Sequence, residues 1–195
     1  MRMTLTGACG LIALTVGALP ARAQIVTGAT PIHHGSLDMR PASGRFDPRT
    51  GIATLRVHHW RLKPAADSNG IFPDHEEVVV ALGDDSFVLP AGSLRVAKGR
   101  GEIFLYRAPH DAGPRAIRSF RFARRADGAY LVSFVLSGVD LSRLVTQDPA
   151  CLPMAVIVGD DDGFSGAYLT RPSFHSHHVS LPGGCDVGND WPWLL

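Results

Sequence analysis

The feature that most constrains this chain is its rhythm of short apolar runs. From residue 52 onward, stretches of about five to nine residues rich in Val, Ile, Leu and Phe recur at short intervals, each ended by Gly, Pro, Asp or Asn. Such runs are too short for helices and carry turn formers at their ends, which is the pattern of an all-β chain. No window of 12 or more residues holds a 3.6-residue apolar stripe, and Leu141 to Thr146 has room for one helical turn at most. The expected strands are Ile52 to Leu62, Glu77 to Leu82, Ser86 to Leu89, Ser93 to Val96, Glu102 to Arg107, Ala116 to Ala123, Ala129 to Ser137, Met154 to Val158, Gly166 to Thr170 and Phe174 to Leu181.

Alternation sorts these strands. Tyr130, Val132, Phe134 and Leu136 take one face while Leu131 and Val135 partly fill the other, as in a central strand covered on both sides. Phe120 and Phe122 share a face opposite Ser119 and Arg121, so that strand has one wet side. Arg124 to Gly128 joins the two as a hairpin with Asp-Gly at its turn. About nine or ten short strands without helices fold most economically as two antiparallel sheets packed face to face. The expected fold is therefore an all-β sandwich, immunoglobulin-like in general architecture, with a closed β-barrel as the alternative. The Cys…Trp…Cys order of a true immunoglobulin domain is missing, because Trp60 precedes both Cys151 and Cys185. One short echo, Val78 to Asp85 with Phe87 against Met154 to Asp161 with Phe164, is what two hairpins solving one turn problem produce.

The succession Glu77 to Asp85, Lys98 to Arg107, Ile117 to Phe122, Gly128 to Phe134 and Gly138 to Ser142 resembles an uncharacterised group of exported bacterial β-sandwich domains, over roughly residues 36 to 165. The resemblance implies the sandwich and bacterial export, and it carries over no activity and no catalytic residues.

Residues 1–23 have the layout of a secretory signal peptide: a basic start at Arg2, an apolar run from Leu5 to Leu19, and small residues at Ala21 and Ala23 before an expected cleavage ahead of Gln24. The run is short of the roughly 20 residues a spanning helix needs. The mature protein is expected to be exported, periplasmic or extracellular, with no membrane span. Cys9 lacks the context of a lipid-anchoring cysteine. Residues 24–50 read as an extended lead-in with at most one edge strand, and 51–195 as a single sandwich domain with a C-terminal tail. Arg2 and Arg22 are the only charges in the signal segment, so the mature chain has 17 basic and 18 acidic residues, a net of −1 over 172. That balance argues against nucleic acid as a partner.

Two cysteines remain after cleavage, Cys151 and Cys185, and in an oxidising compartment they are expected to pair. The chain has nine histidines, at positions 33, 34, 58, 59, 75, 110, 175, 177 and 178. A strand places residues i and i+2 on one face, so His175 and His177 could join either His58 or His59 around Cu or Zn, since neutral imidazole binds both metals. His58 and His59, being adjacent, are expected on opposite faces. Asp160 and Asp162 invite a calcium reading, but the alternating carboxylate spacing of a calcium loop is missing and Asp is a turn former in its own right. Asp74, Glu76 and Glu77 could supply the paired carboxylates of a glycosidase, and Ser165 lies between glycines with the wrong spacing for a nucleophile elbow. Arg115, Arg118, Arg121, Arg124 and Arg125 form a basic run, with Arg118 and Arg121 expected on opposite faces. This run fits an anionic sugar or surface partner, or a charged strand that resists edge aggregation. The apolar tail Trp191 to Leu195 is expected to dock on the sandwich.

Together these readings favour a non-enzymatic exported sandwich with a binding or structural role and a protein or glycan partner. A Cu or Zn protein built on His58 or His59 with His175 and His177 is the alternative, and a carbohydrate hydrolase the second.

Overall fold

Runs dense in β-branched and aromatic residues, cut by Gly, Pro and Asp, form strands wherever both neighbours are strands too. The structure, a computed structural model, describes residues 34–82, 85–99, 102–142, 152–159, 164–165, 168–170 and 173–182. In chain order its strands are β1 (His34–Asp38), β2 (Ala42–Phe46), β3 (Ile52–Lys63), β4 (Val78–Leu82), β5 (Asp85–Leu89), β6 (Arg95–Val96), β7 (Ile103–Arg107), β8 (Ala116–Arg124), β9 (Tyr130–Asp140), β10 (Leu152–Val158), β11 (Phe164–Ser165), β12 (Tyr168–Thr170), β13 (Ser173–His175) and β14 (His178–Leu181). No helix among the described residues is long and apolar enough to cross a membrane.

Two sheets form. The larger runs β6-β7-β8-β9-β3, all antiparallel. The first half of β3 then pairs with β2, which carries β14 and β13, while its last three residues pair with β1. The smaller sheet is β5-β4-β10 with β12 on the far side of β10. The two-residue β11 is parallel to both β10 and β1, so β1 belongs to both sheets and joins them along one side. The path ends at β5 and β6, which do not pair, so the sheets face each other without closing into a barrel.

The lead-in contributes more than one edge strand: β1 and β2 both pair with β3, and β2 lies inside the sheet. The expected strand Phe174 to Leu181 is broken by Ser176 and His177 into the hairpin β13–β14, with His175 opposite His178. The two echoing segments lie side by side as β4 and β10, Val80 opposite Val156.

The core lies between the sheets. Trp60, Phe120, Phe122, Phe134, Leu55 and Leu136 face Val78, Val80, Met154, Val156 and Val158 within one buried cluster. The Phe134 ring stacks on Phe120 at 5.8 Å between centroids and takes the Trp60 edge at 5.5 Å. Both are favoured aromatic geometries, and each buried ring contributes about 1.5–3 kcal/mol through area alone. The Trp60 indole N–H donates to the Arg40 carbonyl at 2.7 Å, which satisfies the one polar atom that this side chain buries. On the other face of the small sheet, Val79, Ala155 and Ile157 form a second buried cluster.

Away from the β1 seam, the sheets are tied by a carboxylate. Asp85 of β5 accepts from the Arg115 guanidinium at 2.7 Å and from the Asp140 amide at 2.9 Å. The Arg115 guanidinium also lies 5.1 Å from the Phe87 ring centre. Asp85 is buried, and these partners replace the water it gives up.

Three β-bulges interrupt the large sheet. His58 and His59 together stand opposite Ser133, Arg118 and Ser119 together opposite Val135, and Gly138 is an extra residue between Ser137 and Val139. A bulge sets two residues against one on the partner strand, so simple alternation slips by one there. Val57 and Trp60 are buried, and both histidines between them are exposed. Ile117 and Phe120 are likewise buried, with Arg118 and Ser119 outside. The strict alternation that separated His58 from His59, and Arg118 from Arg121, therefore does not hold: each pair shares the outer face of the sheet.

Candidate functional site

The outer face of the large sheet is polar by register. Leu105 of β7 stands directly opposite Arg95 on one side and Arg121 on the other, and Arg121 stands opposite Ser133 of β9. Ser133 in turn faces the His58–His59 bulge, whose His59 amide donates to the Ser133 hydroxyl at 2.9 Å. A parallel row runs Arg107, Ser119, Val135, Arg56, Ser43. Directly opposed residues of paired strands share a face, so these two rows form one surface. A groove of ≈ 880 Å³ is set into it, lined by Arg95, Arg107, Arg121, His58, Ser119, Ser133, Leu105 and Val135, with Gly92, Ser93 and Pro109 at its rim.

Its charge is one-sided. Arg95, Arg107 and Arg121 in the groove, and Arg56 beside it on the same face, pair with no carboxylate among the described residues. Two further basic groups on this face, Arg118 and Arg61, are already engaged. Arg118 donates to the Ser137 hydroxyl at 2.8 Å and to the Ala112 and Gly113 carbonyls at 3.0 and 2.9 Å, which ties the loop before β8 to the sheet. Arg61 pairs with Asp127 at 2.8 Å. The Asp127 carboxyl is held below its ordinary range first by the Ala129 amide and then by Arg61.

The groove can hold an anion. Arginine stays charged at every accessible pH and offers five N–H donors in a fork that matches carboxylate, sulfate or phosphate. Ser119 and Ser133 add neutral hydroxyl donors and acceptors, and exposed Leu105 adds an apolar patch between two guanidiniums.

The expected metal ligands are not brought together. His58 and His59 sit in the β3 bulge, whereas His175 ends β13 and His177 lies in the β13–β14 turn, at the far end of the same sheet with β2 and β14 intervening. The i, i+2 spacing of His175 and His177 does not place them on one strand face, because the chain reverses between them. Among the described residues no three His, Cys, Asp or Glu side chains cluster as a metal site requires. Cys151, Cys185, Asp160 and Asp162, together with the signal segment and the Trp191 to Leu195 tail, lie outside the described residues. The carboxylates proposed for hydrolysis do not line the groove; Glu76 accepts from the Phe72 amide at 2.8 Å and Asp74 lies 3.4 Å from His75.

Arg56, Arg95, Arg107 and Ser133 were not singled out by sequence, which marked only the contiguous arginine run. Their signal is a wet position in an otherwise apolar strand, repeated in four strands that pairing brings side by side. No protein-family model, curated protein or solved structure matches the chain.

Proposed function

We propose that this is an exported, non-enzymatic binding protein that holds an anionic ligand in the groove on the outer face of its large sheet. The observation that carries the reading is the set of four arginines, Arg56, Arg95, Arg107 and Arg121, on one face with no carboxylate paired to them among the described residues. The signal-peptide layout of residues 1–23 supports export. Fixed guanidinium charges attract and orient an anion without exchanging protons, which suits binding rather than acid–base turnover.

Titration calorimetry of the mature protein with a multivalent anion such as citrate tests this. Binding is expected to weaken steeply from low to physiological salt, as screening shortens the reach of the charges to about 8 Å. Arg107→Ala with Arg121→Ala is expected to weaken it at least tenfold while the melting temperature stays unchanged. Equal affinity in wild type and double variant would remove the groove from the reading.

A further inference from the structure

We infer that the ligand of this groove is one chain of an acidic polysaccharide lying across the strands, along the line Arg95, Leu105, Arg121, Ser133, His58. The inference rests on the anion-binding reading and adds the class and the direction of the ligand.

Direction comes from the register. The first three steps, from β6 through β7 and β8 to β9, are directly opposed pairs, and Ser133 then faces the His58–His59 bulge of β3. The line therefore crosses five strands at right angles to the chain, four strand spacings or roughly 19 Å in length. A pyranose unit in an extended glycan advances by about one strand spacing, so successive sugars meet successive strands. An extended peptide that adds a strand to a sheet must instead run along a free edge, parallel to the strands.

Class comes from the order of side chains on the line. Guanidinium, apolar surface, guanidinium, hydroxyl and imidazole follow one another. An acidic sugar offers the complement: a carboxylate or sulfate on alternate units, hydroxyls between, and an apolar ring face that Leu105, exposed to 42%, can support. Arg95 and Arg121 flank Leu105 at two strand spacings, roughly 10 Å apart at their backbones, which matches charges carried on every second unit. Single-stranded nucleic acid needs aromatic platforms on which bases stack; the aromatic residues of the groove lining, Tyr106, Phe120 and Phe134, pack against the core, and none stands on this line.

The test is length-resolved binding. Hyaluronan-derived oligosaccharides, which carry a carboxylate on every second unit, and heparin-derived oligosaccharides, each of two to six units, are titrated against the mature protein, beside neutral malto-oligosaccharides, citrate and vesicles of phosphatidylglycerol. Affinity in at least one acidic series is expected to rise tenfold or more between two and four units and then level off, with no binding of the neutral series. His58→Ala, at one end of the line, is expected to weaken the longer oligomers while leaving the dimer unchanged; Arg121→Ala, near its middle, weakens both. Neither acidic series binding more tightly with length, or vesicles outcompeting both, overturns the polysaccharide; if citrate still binds through Arg107 and Arg121, the anion-binding reading survives that loss. Failure of every anion to bind overturns both.

Discussion

His59 is held with φ at +57°, in the left-handed region that costs a non-glycine residue about 1–2 kcal/mol. It accepts this because the bulge needs one residue turned there, and its amide is fixed on the Ser133 hydroxyl. Histidine is among the residues that enter this region most readily, whereas β-branched ones rarely do. His59→Val is therefore expected to lower stability by about 1–2 kcal/mol in chemical denaturation. His59→Gly should come out at parity or up to about 1 kcal/mol more stable, since relief of the strain is only partly offset by about 0.5–1 kcal/mol of added chain entropy. Equal stabilities for the Val and Gly variants would mean that the bulge does not hold this geometry. At this scale the sequence was read correctly for Phe120, Phe122 and Phe134, which point inward as the alternation of their strands requires. It failed one residue at a time where a bulge intervenes, because the extra residue of a bulge leaves no mark in an apolar–polar pattern beyond two polar residues in succession.

Eight of the ten expected strands were legible to within two residues, since each is bounded by turn formers; β9 runs three residues further, Phe174 to Leu181 is a hairpin, and β1, β2 and β11 were not among them. The Arg124 to Gly128 hairpin folds as its Asp-Gly demands, with Gly128 at φ +78°. Partners across the sandwich were not legible, because pairing depends on long-range contacts that no local pattern encodes. The tie from β5 to β8 and β9 is of that kind. Asp85→Ala would leave Arg115 and the Asp140 amide without their acceptor, at a cost of about 2 kcal/mol given that the guanidinium is half exposed. Urea unfolding checks this, and a midpoint equal to wild type would show the tie to be idle. The β8–β9 hairpin has its own pH signature. Asp127 titrates below its ordinary value when folded, so the stability it contributes is present above the unfolded carboxylate range and is lost as pH falls through the folded one. Asp127→Asn is expected to flatten the fall in stability below about pH 4, read from melting temperatures across that window. An unchanged acid limb would remove this contribution.

Across the whole molecule, overall charge and charge placement give different answers. A net of +1 for the full chain argues against a charge-driven partner, yet pairing gathers arginines from β3, β6, β7 and β8 onto one face. Composition cannot register that, because it sums over both sides of the sandwich. The mature protein is accordingly expected to be retained on a sulfonate cation exchanger at pH 7 and low salt, and Arg107→Glu with Arg121→Glu to flow through. Passage of the wild type without retention would contradict a one-sided field.

The three bulges also bear on how this chain tolerates changes of length. Elsewhere in a strand, deleting one residue turns every later side chain over, so the core set faces water. At a bulge the opposite holds. Without His59 the order Val57, His58, Trp60 reads inward, outward, inward, and removal of Arg118 or Gly138 restores the same regularity in β8 and β9. These positions are single-residue insertions that the sheet has already absorbed. They are the points at which one residue can be lost inside a strand while the inward-facing set keeps its register, so the core survives even where, as at Arg118, an outer-face tie goes with the residue.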